Sequence, residues 1–396
     1  MPSLKQAKWK WLIPPNWATH PEAGNSSNVG STVFLSPIVG LFCLLNLACT
    51  PIDSPLVGPE QPQTLHQVIL KRTDRKGQLL WQVQAAEVER VDAQILRLRQ
   101  LRGTFYQNRE AVYVFQSSQG QVDQQATFIR LQGPIVVENV RDRSTLHSQN
   151  IQWHPQSGQL IAQSGVALHH PHFQLRGQRL QASTRTHDAQ ISGTTTLKLP
   201  GRGWQLQAHQ LTWLPHQGTI QAHSPASEMV VLKSTAGHSP GAIPWQQAQA
   251  QWMELDLQSR QLSLHDSVQL DFIQPQIQLN SPQLIMDWVG QEWQSPQGIQ
   301  IQSQGITGTA KQGSFDRSRI LRLQNQVRIQ GLPHQAHLRA QQLTWNLTTQ
   351  DLKAQGEVVY HQPVPWMKLT GKNASANLRQ QTLEVQGGEA VAEILP

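Results

Sequence analysis

Apolar residues along this chain fall in pairs two apart, and the pairs recur at a regular interval. Leu146 and Ser148 are followed by Ile151 and Trp153, then by Leu160 and Ala162. Leu206, Ala208, Leu211, Trp213, Ile220 and Ala222 repeat the spacing, and Leu338, Ala340, Leu343, Trp345, Leu352 and Ala354 repeat it again. Counted from the first residue, the marked offsets are 0, 2, 5, 7, 14 and 16. Weaker copies begin at Leu175, Ala248, Leu279 and Leu369, with a degenerate one near Thr307. Successive starts lie 28–31 residues apart, save for one interval of 42. That interval contains Ser234–Trp245, rich in Pro and Gly, which reads as one inserted loop.

Pairs at i and i+2 mark a strand with one buried face. Offsets 0 and 2 differ in parity from 5 and 7, so a regular strand would send the second pair to the opposite face. A bulge at offsets 3–4 brings both pairs to the same interior. Offsets 20 and 22 are often apolar, as at Val166 and Leu168, whereas offset 18 is small or polar (Ser164, Gly193, Asp266, Asn325, Gly356, Gly387). Such residues suit a second bend. Turns near offsets 9–13, as at His154–Gly158 and Pro215–Gly218, complete a unit of two bent antiparallel strands. Stacked repeats of this kind give a long sheet folded over on itself, with an apolar groove inside. The inward residues are mostly Leu, Ile, Val and Ala, which also describes a dry core.

Composition narrows the class. Of 396 residues only 14% are charged and 38% hydrophobic, against about 25% and about 45–50% in ordinary soluble domains. With 24 Pro and 27 Gly, this argues against long helices, a coiled coil and a disordered polyelectrolyte. The net charge is +7, and residues 71–110 hold nine basic against five acidic residues. This stretch reads as a solvated face or as a contact for anionic headgroups. No compact basic cluster recurs beyond it, so nucleic acid is not an expected partner.

The two cysteines, Cys43 and Cys49, both lie in the only strongly apolar segment, Val33–Cys49. A disulfide scaffold and a Cys-based zinc site are therefore excluded from the body. The segment is 17 residues long, at the lower limit of about 17 for a spanning helix. Lys5, Lys8 and Lys10 precede it, and it ends in Leu47-Ala48-Cys49, which resembles a bacterial lipobox with Cys49 as the lipidated residue. A lipoprotein, an uncleaved single-span anchor and an ordinary secretory signal all carry the body across the inner membrane. Pro51, Pro55, Pro59 and Pro62 make residues 50–63 a semi-stiff tether.

Residues 64–145 carry a second pattern. After Leu70-Lys71-Arg72-Thr73-Asp74-Arg75-Lys76, Gly77 suits a turn, and Leu79, Trp81, Val83 and Ala85 alternate onto one face. Arg102-Gly103-Thr104-Phe105-Tyr106 follows, then Ser118-x-Gly120-x-Val122 and Ile129-x-Leu131-x-Gly133-x-Ile135-x-Val137. This pattern resembles the LptC family, membrane-anchored periplasmic components of the lipopolysaccharide export machinery. The repeats from 146 resemble the OstA-like repeats shared by LptC, LptA and the N-terminal domain of LptD. The length looks like that of the extended form found in cyanobacteria. The expected organisation is thus a signal or anchor segment at 1–49, a tether at 50–63, an LptC-like β module at 64–145 and OstA-like β repeats at 146–396.

The resemblance implies an all-β fold, an elongated bent antiparallel β-jellyroll or β-taco. It implies an inner-membrane location on the periplasmic side and no enzymatic activity, with no catalytic residue, metal or cofactor; no P-loop is visible in the sequence. Lipopolysaccharide would be taken from the permease subunits of the ABC transporter and passed to an LptA-like bridge or an LptD-like outer-membrane protein. Trp81, Val83, Phe105, Ile129, Leu131, Ile135, Trp153, Val166 and Leu168 are the expected acyl path. The edge near Leu65–Leu70 is expected to face the permease. The final repeat is expected to end uncovered, with Leu383, Val385 and Val391 on an edge suited to a partner sheet.

Rival readings are a metal enzyme built on His169, His170 and His172, and a structural or carbohydrate-binding β-solenoid envelope lipoprotein with a dry core. The histidines sit in a turn without cysteines and with few acids. No paired-carboxylate constellation can be assigned from spacing. A carbohydrate scaffold would want exposed aromatic ladders, whereas the tryptophans at offset 7 lie on the inward parity.

Overall fold

The computed structural model describes residues 64–394 apart from 75, 93, 124–126, 235–244, 274–275, 304 and 388–390; for 391–394 only the strand is described. The apolar segment, Cys43, Cys49 and the tether lie outside the described residues. Glu60–Pro396 forms one compact unit.

Among the described residues, 26 strands join a single antiparallel sheet. Helix is limited to two single turns, Pro200–Arg202 and Pro333–Gln335. This is the folded-over β architecture that the repeat predicts. Each level of the sheet pairs with the next along the chain: β1 (Thr64–Thr73), β2 (Leu79–Arg90), β3 (Ile95–Gln107), β4 (Glu110–Asp123), β5 (Ile129–Asn139) and β6 (Thr145–His154) begin the series. In five places two short strands share one level, so the stack has 21 levels. At about 4.8 Å per strand the stack is roughly 100 Å long.

The crease comes from bulges that line up from strand to strand. Register shifts fall between Ser117 and Gln119, Gln132 and Ile135, His147 and Asn150, and Gln163 and Val166. The same shift recurs at Gln324/Val327 and Gln355/Val358. The bulge restores parity, so Leu146, Ser148 and Ile151 are all buried on one face. The second bend has a definite backbone form. The six offset-18 residues named above all have positive φ, from 62° at Asp266 to 87° at Gly387, whereas Ser224 and Gln297, at the same offset of their copies, do not. Glycine adopts this left-handed region freely, and Asn and Asp tolerate it better than most residues.

Buried serines at offset 2 hold the crease. Ser148 Oγ donates to the carbonyls of Gln163 (2.8 Å) and Asn150 (3.3 Å), and Ser117 Oγ to those of Gln119 (2.8 Å) and Gln132 (3.0 Å). Ser281 bonds the carbonyls of Gln283 (2.7 Å) and Gly298 (2.8 Å) in the same way. A bulge leaves ladder groups unpaired, and a small hydroxyl can satisfy them without leaving the apolar row.

The repeat extends further upstream than its clearest copies. Phe115, Ser117, Gly120, Val122, Ile129, Leu131, Gly133 and Ile135 occupy offsets 0 to 20 of a copy that starts 31 residues before Leu146. Ile129 pairs with Trp153, Leu131 with Ile151 and Ile135 with Ser148, so the buried row crosses from β5 to β6 unbroken. The interval of 42 is not a single inserted loop. Strands Thr219–His223 and Val230–Ser234 are separated by residues 224–229 at the crease, and the next described strand begins at Trp245. The intervening 235–244 lie outside the described residues.

Candidate functional site

Antiparallel order places successive turns on two opposite rims. The strand ends at Gln107, His170, Leu199, Ser234 and Phe272 lie along one rim; those at Arg90, His154, Leu214, Asp287 and Phe315 lie along the other. Between them lies the apolar interior. Trp81, Val83, Ile129, Leu131, Ile135, Val166 and Leu168 are all buried in one continuous cluster, with Phe105 and Trp153 half-buried against it. Trp81 pairs with Phe105 and Ile129 with Trp153, so these residues line one stretch of the interior. The interior is filled by its own side chains; Leu206, Ile220, Leu232, Leu264 and Leu270 are 0% exposed. An acyl chain can be accommodated only where these side chains separate.

Aromatic residues meet across the two rims. Phe105 lies 4.3 Å from Trp153, Phe173 5.3 Å from Trp213, Trp204 5.8 Å from Trp288, Trp245 6.0 Å from Trp293 and Phe272 4.6 Å from Phe315, measured between ring centroids. Arg202 Nη1 also donates to the Trp288 carbonyl (3.2 Å), and its guanidinium lies 5.7 Å from the Trp288 ring centroid. Tryptophan Nε1 atoms of Trp153, Trp288, Trp293 and Trp345 are buried without an acceptor. Each aromatic pair contributes about 0.5–1.5 kcal/mol beyond its burial. Burying one acyl methylene contributes about 0.8 kcal/mol, so a chain of a dozen carbons outweighs several such contacts.

At the same mouth Tyr113 Oη is 3.1 Å from His187 Nδ1. Burial, then the Asp142 charge, pushes the Tyr113 hydroxyl up to about 12. Burial holds His170 and His187 below the usual histidine value of 6.5, with His216 and Arg141 adding to the effect at His187. Burial also lowers His223 and His265, which flank Trp252 on the outer face. Such histidines stay neutral in the fold while the unfolded chain is already taking up protons below 6.5. Stability therefore falls as pH drops through that window. We expect a lower urea midpoint at about pH 5 than at about pH 7.5; a midpoint that rises on acidification would contradict the burial of these rings.

The basic stretch faces outward. Arg97 pairs with Glu89 at 3.2 Å, Arg99 with Glu87 at 3.6 Å and Arg141 with Glu110 at 3.6 Å, all partly exposed. A cleft of about 910 Å³ runs along the outer crease of β1–β5, with Gln67, Ile69, Gln100, Arg102, Ser118 and Val136 in its lining. β1 pairs only with β2 among the described residues, and Leu65 and Ile69 on it are exposed. At the other end, Thr382–Gln386 and Val391–Ile394 both pair with Met367–Asn377. Leu383 and Val385 are partly buried against the core, and the Val391 side chain lies outside the described residues.

His170 stacks on Phe173 at 4.5 Å, His147 meets His169 at 5.5 Å, and among the described residues no three metal-ligating side chains converge. Also among the described residues, no helix is long and apolar enough to cross a membrane. The expected groove residues come together in one cluster; Trp204, Trp245, Phe272, Trp288, Trp293 and Phe315, which meet across the mouth, lie outside the expected path.

No curated protein matches the chain. The profile of the family described as lipopolysaccharide-assembly, LptC-related, matches residues 58–198 and 294–389. These two stretches make up more than half of the 396 residues, and their described residues, from Thr64 on, belong to the repeat-built sheet. The chain therefore belongs to the LptC-related family of lipopolysaccharide-assembly proteins.

Proposed function

We propose that this protein is the inner-membrane-anchored periplasmic component of a lipopolysaccharide export machinery. It takes lipopolysaccharide from the permease subunits of the ABC transporter and passes it along the folded sheet toward the outer membrane. The observation that carries this reading is one unbroken apolar interior from Trp81 to Ala374 under a largely polar outer face. Such a cross-section can hold acyl chains inside while sugars stay in water. The anchor is the segment ending at Cys49, with the tether spacing the body from the bilayer; loss of acyl labelling in Cys49→Ser tests lipidation there. The β1 edge, with exposed Leu65 and Ile69 beside the outer cleft, is the permease side.

A photoreactive residue at Trp81 or Trp153 is expected to crosslink to lipopolysaccharide in membranes, and only with ATP. Probes at Gln82 or Gln152, on the opposite parity, should stay unlabelled. Labelling from the outward positions alone overturns the assignment of faces. The filled interior favours one alternative, a structural envelope lipoprotein with a dry core, and absence of lipid crosslinks from every inward position would establish it.

A further inference from the structure

The five cross-rim aromatic contacts occur at intervals along the mouth, from Phe105–Trp153 to Phe272–Phe315. They join residues from opposite rims, so the two halves of the folded sheet cannot separate while the contacts persist. Behind them the interior is packed with buried side chains. Trp288 and Trp293 are 6% and 1% exposed, and their buried indole N–H groups have no acceptor. A buried donor without a partner is costly; Trp345 and the outward Trp252 share that state, and Trp153, Trp288 and Trp293 are the ones that also stand in the cross-rim row.

We propose, on the basis of the lipid-carrying function above, that this aromatic row is a seam. It parts to admit acyl chains, and the indoles of Trp288 and Trp293 then donate to the ester and amide oxygens at the base of those chains. An indole is suited to that position because its ring sits with apolar chains while its N–H reaches the polar boundary. The seam thus adds hydrogen-bond donors to a groove lined mostly by apolar side chains. Closure after passage restores the packed interior, so the empty protein presents no open apolar slot to water.

The test uses the full chain carrying Phe272→Cys and Phe315→Cys, bridged by a short bis-methanethiosulfonate reagent. A diazirine-bearing residue in place of Leu279 reports lipopolysaccharide in the adjoining interior. Bridging is expected to cut lipid capture at least tenfold, and reductant is expected to restore it. Each chain carrying only one of the two substitutions beside the native Cys43 and Cys49, treated identically, should capture lipid normally. Capture by the bridged chain equal to that of the unbridged one overturns the seam. Capture in neither, although Trp81 and Trp153 probes label in the wild-type chain, overturns it too, because lipid then never enters between these rims. No label at Trp81, Trp153 or Leu279 sinks the lipid reading itself, and the seam with it. The donors are read separately. In chains containing 5-fluorotryptophan, the ¹⁹F lines of Trp288 and Trp293, assigned by Trp288→Phe and Trp293→Phe, are expected to shift on addition of lipopolysaccharide, and that of outward Trp252 is not. Unmoved Trp288 and Trp293 lines alongside normal capture at Leu279 overturn the donor role.

Discussion

Trp293→Ala is expected to lower stability by about 3–5 kcal/mol, the range for removing a large buried aromatic. Trp293 is 1% exposed, pairs with Met286 and Phe315 in register and meets Trp245 at 6.0 Å. Its removal leaves a cavity with walls from both rims, which the ladder holds apart. Trp252→Ala is the comparison. Its ring lies on the outer face, 4.2 Å from His265 and 5.7 Å from His223. That loss is expected to stay below about 2 kcal/mol, because the site opens to solvent and leaves little cavity. Urea denaturation followed by circular dichroism measures both. Equal losses would mean that Trp293 is not a core residue.

The sequence carried more of this than its clearest copies suggest. Trp293 stands at offset 14 of the copy that begins at Leu279, where other copies have Leu160, Ile220 and Leu352. Phe173, Trp204, Ile277 and Met367 each stand two residues before a copy begins, which continues the i, i+2 rule to the rim. Both signals follow from strand periodicity. The bulge was legible for the same reason, since offsets 2 and 5 cannot share a face without it. The positive φ of Ser164, Asp266 and Asn325 was visible only as a preference for small or polar residues.

What periodicity could not give is which rim positions meet. Phe105 and Trp153 are 48 residues apart, Phe173 and Trp213 40, and Trp204 and Trp288 84. Those separations depend on how far one rim slides past the other when the twisted sheet folds. In several pairs the slide is three strand levels, as from β3 to β6, or roughly 14 Å at about 4.8 Å per strand. Sheet twist sets that slide, and no residue pattern in a single strand encodes it. The acyl path is therefore legible as a face, and the mouth becomes visible only in three dimensions.

Deleting residues 383–396 is expected to abolish capture of a partner carrying the same folded sheet, while permease binding stays intact. Among the described residues, Thr382–Gln386 and Val391–Ile394 have strand partners on one side only. Unpaired backbone donors and acceptors on such an edge accept another strand, extending the hydrogen-bond ladder and the apolar interior together. Leu383 and Val385 sit partly buried at the end of that interior, and Val391 lies on the strand beside them. The interior is already loosening there: Leu369 and Ala376 are only half-buried, whereas their counterparts in the copy starting at Leu338 are buried. A partner sheet would bring these residues into a continuous core. Because deletion also uncovers Met367–Asn377, Val385→Asp serves as a milder variant that keeps the backbone ladder. It places a charge where the two interiors would join, and is expected to weaken capture about tenfold, equivalent to about 1.4 kcal/mol. Pull-down of an LptA-like bridge or of the periplasmic part of an LptD-like protein reads both variants, with permease co-purification as the control. Full-strength capture by the truncated chain would move the junction to another edge, and β1, with Leu65 and Ile69 exposed, is the edge that remains.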